Sequence, residues 1–66
     1  MRIKVLLREV RTAKGYSLEQ LSRLTGISSS HLNYIERNEK EPTLSMLVRI
    51  AVALNVDIKE LYKVEY

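Results

Sequence analysis

From Leu18 to Ile35 the apolar positions are Leu18, Leu21, Leu24, Ile27, Leu32 and Ile35, and Gly26 interrupts the series. Their spacing predicts two short amphipathic helices. Ser17 and Ser28 each stand directly before one of these runs, where a hydroxyl can cap a helix start. Ser22 supplies a small side chain and Gly26 a flexible backbone, so a turn of about four residues can bring the helices close together.

Extending the same reading along the chain gives five helical segments, with no repeats, low-complexity stretch or interdomain linker. Segment one covers about residues 4–14, with Leu6, Leu7 and Val10 inward, and Gly15 closes it. Segment two starts after Ser17; Gln20 completes a capping box, and Tyr16 can staple onto Leu21. Segment three starts after Ser28 and ends at Asn38, a residue type that tolerates the left-handed conformation of a helix stop. Segment four follows Pro42-Thr43, with Leu44, Leu47, Val48, Ala51 and Leu54 on one face. Segment five follows Asp57, with Glu60 completing a second box and Val56 facing Leu61. Caps and periodicity agree at nearly every boundary, which makes the chain all-α.

Segment three carries the candidate chemistry. At ~100° per residue, Ser28, Leu32 and Ile35 fall on one side, and Ser30, Asn33, Tyr34 and Arg37 fall opposite. Ser29 and Glu36 lie on one flank and His31 on the other. Any exposed helix face is polar, so the face alone decides little. Following a tight turn, however, such a helix stands out from the surface in the way that enters a DNA major groove. Serine can donate or accept at base edges, and asparagine can bond adenine with both amide atoms.

Sixty-six residues give one domain, residues 1–66, and a chain of this length buries only ~60% of its unfolded surface. That leaves no room for an ordinary substrate pocket. There is no cysteine, so neither disulfides nor a zinc–thiolate cluster supplements the core. The formal charge is +3, and its distribution is uneven. Residues 1–14 hold five basic side chains against Glu9 alone, whereas residues 15–66 hold six basic and seven acidic ones. The basic excess favours a polyanionic partner beside the helix pair. The charged amino terminus is not a secretory signal, and no apolar run approaches the ~20 residues needed to span a membrane. A cytoplasmic protein is expected.

The stretches SLEQLSRLTGISSSHLNYIER and EPTLSMLVRIAVALNVDIKELY resemble the Cro and phage-repressor (Xre-type) helix-turn-helix family over about residues 3–62. The resemblance implies a compact five-helix, lambda-repressor-like domain with its helix-turn-helix at about 17–37. It implies binding to double-stranded DNA, usually as a homodimer on a pseudo-palindromic operator, and a role as a transcriptional regulator, most simply a repressor. By the same resemblance Ser29, Ser30 and Tyr34, with Asn33 adjacent, are base-reading positions. Leu18, Arg37 and Lys40 are phosphate positions. Arg11 and Glu36 match an ion pair between segments one and three, and Arg11 can reach a phosphate as well. Leu18 departs from the glutamine or threonine frequent at its position. There the backbone N–H groups of the helix start remain the donors. Ser29 and Ser30 are shorter than the glutamine or arginine readers of the family, and Asn38 stands in place of its glycine.

Other chemistry finds little support. His31 is the only histidine, so no metal site and no Ser-His-Asp arrangement can be built around it. Asp57 and Glu60 have the spacing of a cap, and Met46 reads as core filler. No enzyme activity, cofactor or small-molecule ligand is expected. Two other classes use a similar scaffold: an antitoxin with a protein partner, and a protein-interaction module with a degenerate helix-turn-helix. At the ends, Met1, Ile3 and Val5 alternate with Arg2 and Lys4, and Tyr62, Val64 and Tyr66 with Lys63 and Glu65. Such period-two runs either fray or pair as a short β-ribbon. Segment five and the tail carry more apolar area than one small core absorbs, so Ile58, Tyr62, Val64 and Tyr66 are the dimer-interface candidates.

Overall fold

The computed structural model describes residues 1–66. Strand β1 (Arg2–Val5) leads into helices α1 (Leu7–Ala13), α2 (Leu18–Thr25), α3 (Ser29–Glu36) and α4 (Leu44–Leu54). One 3-10 turn, Ile58–Leu61, then delivers the chain to strand β2 (Tyr62–Glu65). The strands pair antiparallel, with Arg2 opposite Glu65, Ile3 opposite Val64, Lys4 opposite Lys63 and Val5 opposite Tyr62.

Two expectations are corrected. The first segment is helical only from Leu7, because residues 2–5 are drawn into the ribbon. The expected fifth helix is a four-residue 3-10 turn, so there are four α-helices and a two-stranded sheet. Its capping box is present, with Glu60 Oε2 accepting from Asp57 N and Asp57 Oδ1 from Lys59 N, both at 2.9 Å. The turn cannot lengthen, since Leu6 N already donates to Leu61 O at 2.8 Å and the next residues must stay extended to pair with β1. The alternation at the two termini is therefore a ribbon.

Helix stops follow residue chemistry. Gly15 (φ +80°) ends α1, and Asn38 (φ 57°) and Asn55 (φ 56°) end α3 and α4 in the left-handed conformation. After each stop an amide reaches back to the last turn: Tyr16 N to Arg11 O, Glu39 N to Tyr34 O and Val56 N to Ala51 O. The Asn38 side chain does something more. Its Oδ1 accepts from Val5 N at 2.8 Å and its Nδ2 donates to Val5 O at 3.3 Å, so one amide brackets the outer edge of β1.

Every helix, the 3-10 turn and β1 contribute to one core that includes Val5, Leu7, Leu21, Leu32, Ile35, Ile50, Leu54 and Leu61. The inward face of α4 matches the expected one at Leu47, Ala51 and Leu54 but not at Leu44 and Val48. Ile50, Ala51 and Leu54 are buried, whereas Leu44 and Val48 are exposed, as is Leu24 of α2. A stripe of apolar residues at three-and-four spacing on a mostly apolar helix fixes no unique inward side, because Ile50 serves beside Ala51 and Leu54 as well as Leu44 and Val48 would.

One charged contact crosses this framework. The Glu36 side chain is fully buried, and Arg11 beside it is 12% exposed. Arg11 Nε lies 2.5 Å from Glu36 Oε2 and Nη2 lies 3.1 Å from Oε1, a two-pronged pair between α1 and α3. Arg11 Nη1 also donates to Tyr16 O at 2.7 Å, and Arg8 Nε stands 3.5 Å from Glu36 Oε1. Removing one member of such a pair strands a charge, whereas removing both leaves ordinary apolar packing. R11M should therefore cost about 3 kcal/mol, lowering Tm by roughly 10 °C or more for a domain this small. The R11M/E36L double variant should recover much of that loss. Calorimetric melting of the three proteins checks this, and an R11M melt within ~2 °C of the parent would contradict it.

Candidate nucleic-acid interface

The α2–turn–α3 unit is set by capping at three points. Ser17 Oγ accepts from Gln20 N at 3.0 Å, and Gln20 Oε1 accepts from Ser17 N at 2.9 Å. Gly26 (φ +75°, ψ 8°) terminates α2. Ser28 Oγ accepts from His31 N at 3.1 Å and starts α3. Between these caps the buried Thr25 bridges the bend, its Oγ1 donating to Leu21 O at 2.8 Å and accepting from Ile27 N at 3.2 Å. From α4, Arg49 Nη1 donates to Thr25 O at 3.0 Å, satisfying a terminal carbonyl of α2. Thr25 and Arg49 hold the turn, and the apolar pattern did not indicate either. Their signals are chemical: a threonine directly before a helix-ending glycine, and the only charged side chain within α4.

With the turn fixed, α3 is oriented by what it buries. Leu32, Ile35 and Glu36 point into the protein, while Ser30, Tyr34 and Arg37 are exposed. Ser29, His31 and Asn33 are half-buried along the margins. Ser29, Ser30, Asn33 and Tyr34 thus lie together on or beside the outward surface. The first amides of α3 have no acceptor within the helix and sit at its electropositive end.

The basic side chains nearby are arranged unequally. Lys40 Nζ lies 5.7 Å from the centre of the Tyr34 ring, a cation–π contact. Arg37 Nε lies 2.7 Å from Glu39 Oε2, with both side chains about half exposed. Such a surface pair is worth little and leaves the guanidinium free to exchange partners. Leu18 is half-buried against the core, so its position offers only the amide groups at the start of α2. Arg11, expected both to hold Glu36 and to reach phosphate, turns three nitrogens toward Glu36 and Tyr16. No group of His, Cys, Asp and Glu stands close enough to hold a metal ion. No helix is long and apolar enough to cross a membrane.

The family profile described as "Helix-turn-helix" matches residues 7–61. The chain belongs to this Xre-type helix-turn-helix family. It is 43% identical over 54 residues to the HTH-type transcriptional regulator SutR of Escherichia coli, covering 82% of this chain and 30% of SutR. It is 35% identical over 55 residues to the control protein C.SmaI of Serratia marcescens, covering 83% of this chain and 66% of that protein. Among solved structures, the restriction-modification controller protein C.AhdI of Aeromonas hydrophila superposes with a TM-score of 0.78 at 39% identity, covering 82% of both chains. The DNA-binding domain of SinR from Bacillus subtilis gives 0.73 at 33% identity, covering 80% of this chain and 78% of that domain. The chain spans about 30–50% of the length of the regulators SutR, SlrR and SinR.

The positive φ of Gly26 yields a direct test. An alanine Cβ would fit, since the nearest atom, Arg49 Nη1, is 3.7 Å away. The obstacle is therefore conformation and not space. G26V should destabilise the domain by about 2 kcal/mol or more, because a β-branched residue resists left-handed backbone. G26N should cost less, since asparagine tolerates that conformation. Equal melting temperatures for the parent and G26V would remove the conformational argument.

Proposed function

We propose that this protein is a sequence-specific transcriptional regulator that reads double-stranded DNA with α3, working in the cytoplasm. The observation that carries the reading is the pairing of a fully anchored inner face on α3 with a short, hydrogen-bonding outer face. Leu32, Ile35 and the Arg11–Glu36 pair fix the helix from inside. Ser29, Ser30, Asn33 and Tyr34 occupy the face that a major groove would meet. The named regulators and controller proteins to which the chain is similar support the same reading.

In this proposal the four outer residues contact base edges, with Asn33 suited to adenine. Arg37, Lys40 and the amides at the start of α2 around Leu18 contact phosphates and set the register. Arg11 acts as a positioning residue through Glu36. Repression follows from occupying promoter DNA. One recognition helix covers too little of the duplex for tight specific binding, which favours a homodimer on a pseudo-palindromic operator with half-sites ~34 Å apart. Footprinting on the DNA upstream of the protein's own gene tests binding, symmetry and stoichiometry together. Two protected half-sites one turn apart are expected, and the absence of any protected sequence would reject the reading.

The side-chain roles separate by salt and sequence. N33A and Y34A should each weaken operator binding by about 1–3 kcal/mol while hardly changing affinity for random DNA. R37A and K40A should weaken both alike and reduce the slope of log K against log salt by roughly one unit each. Titrations of both DNAs at several salt concentrations distinguish the groups. Equal losses of N33A on operator and random DNA would move it off the base-reading list.

A further inference from the structure

The ribbon has two outer edges: on β1 the backbone groups of Ile3 and Val5 face outward, and a side chain covers only those of Val5. On β1 the outward N–H and C=O of Val5 are both taken by the Asn38 amide, at 2.8 and 3.3 Å. On β2 the ladder phase is set by Leu6 N donating to Leu61 O. Antiparallel pairing alternates from there, so Lys63 and Glu65 bond to β1, while the backbone groups of Tyr62, Val64 and Tyr66 face away. No other element bonds to those three residues. Val64 is 36% exposed and Tyr66 entirely so.

The sequence along this open edge, Tyr62-Lys63-Val64-Glu65-Tyr66, has a chemical symmetry about Val64. We infer that β2 pairs antiparallel with β2 of a second copy of this chain, about a two-fold axis at Val64, to form a continuous four-stranded sheet. Val64 then faces Val64 of the second copy and exchanges both backbone hydrogen bonds with it. Tyr62 faces Tyr66 of the second copy in the next bonded position on each side. Lys63 faces Glu65 of the second copy in the closer, non-bonded position, where side chains approach most nearly.

The neighbouring registers fail on the same residues. Pairing Tyr62 with Val64 of the second copy sets Lys63 directly opposite Lys63, and like charges there are unfavourable. Centring on Tyr62 runs the pairing into the 3-10 turn at Leu61. Within one chain Lys63 already stands across from Lys4, so a carboxylate on its other side relieves a like-charge pair. A two-fold contact of this kind is closed, using the same strand of each copy. It also covers the open edge of β2, which would otherwise invite indiscriminate strand pairing. This deepens the two-fold assembly proposed above and gives it a specific surface, with Tyr62, Val64 and Tyr66 at the interface and Ile58 beside it.

Sedimentation equilibrium of the full chain without DNA tests the pairing. The parent should run at twice the 7.7 kDa chain mass. V64P should run as a monomer with unchanged helical circular dichroism, because the N–H it loses points away from β1. K63E and E65K should each raise the dimer dissociation constant roughly tenfold, since both symmetric contacts turn repulsive. An equimolar mixture of K63E with E65K should regain parental affinity, because every facing pair is then of opposite charge. A monomeric parent at millimolar concentration would overturn the inference. So would a V64P dimer as tight as the parent, or a mixture no tighter than its components. These measurements contain no DNA, so their failure leaves the DNA-binding reading to the operator titrations.

Discussion

A carboxylate removed from water must have its hydrogen bonds supplied by the protein, and in this chain Glu36 imposes that requirement on everything around α3. Arg11 meets it with two nitrogens and uses a third on Tyr16 O, so one guanidinium ties α1, the approach to α2 and the inner side of α3 together. The pair adds little net stability, because desolvating two charges cancels most of their attraction. What it supplies is selectivity of geometry. A rotated α3 would bury Glu36 without its partner, at a cost that apolar packing in so small a core cannot offset. The outward presentation of Ser30, Tyr34 and Arg37 follows from that constraint.

The turn before α3 is determined in the same manner, by polar groups that have no water to fall back on. Thr25 is buried, and it closes both of its hydrogen bonds within the bend. Arg49 reaches across from α4 to the carbonyl that α2 leaves open at its end. Gly26 supplies the conformation that lets the chain leave α2 at this point. Together these contacts make the relation between α2 and α3 a property of the whole domain, since α4 takes part in it.

Much of this could be read from the chain before folding. Caps at Ser17, Ser28, Thr43 and Asp57 and stops at Gly15 and Asn38 are local chemistry, and local chemistry is legible in one dimension. The outward residues of α3 follow from periodicity once its inward set is known. The inward face of α4 was legible only at Leu47, Ala51 and Leu54; Ile50 takes the place expected of Leu44 and Val48, because nearly all residues of this helix are apolar and only the neighbours choose among them. The fifth segment has every sign of a helix start, yet pairing with β1 claims its continuation, and that competition lies between residues far apart in sequence. Thr25 and Arg49 escaped for a related reason: their roles depend on which carbonyl or amide the fold brings beside them.

Asn38 ends α3 with φ 57°. Its side chain also occupies the place of a third strand beside Val5, joining the last turn of α3 to the ribbon. Helix α3 and the two terminal strands are thereby joined through a single amide. The position of the ribbon and the end of α3 are therefore specified by the same residue, whose backbone turns the chain and whose side chain holds Val5. Glycine at that position would make the same bend but would leave the backbone of Val5 without its two partners.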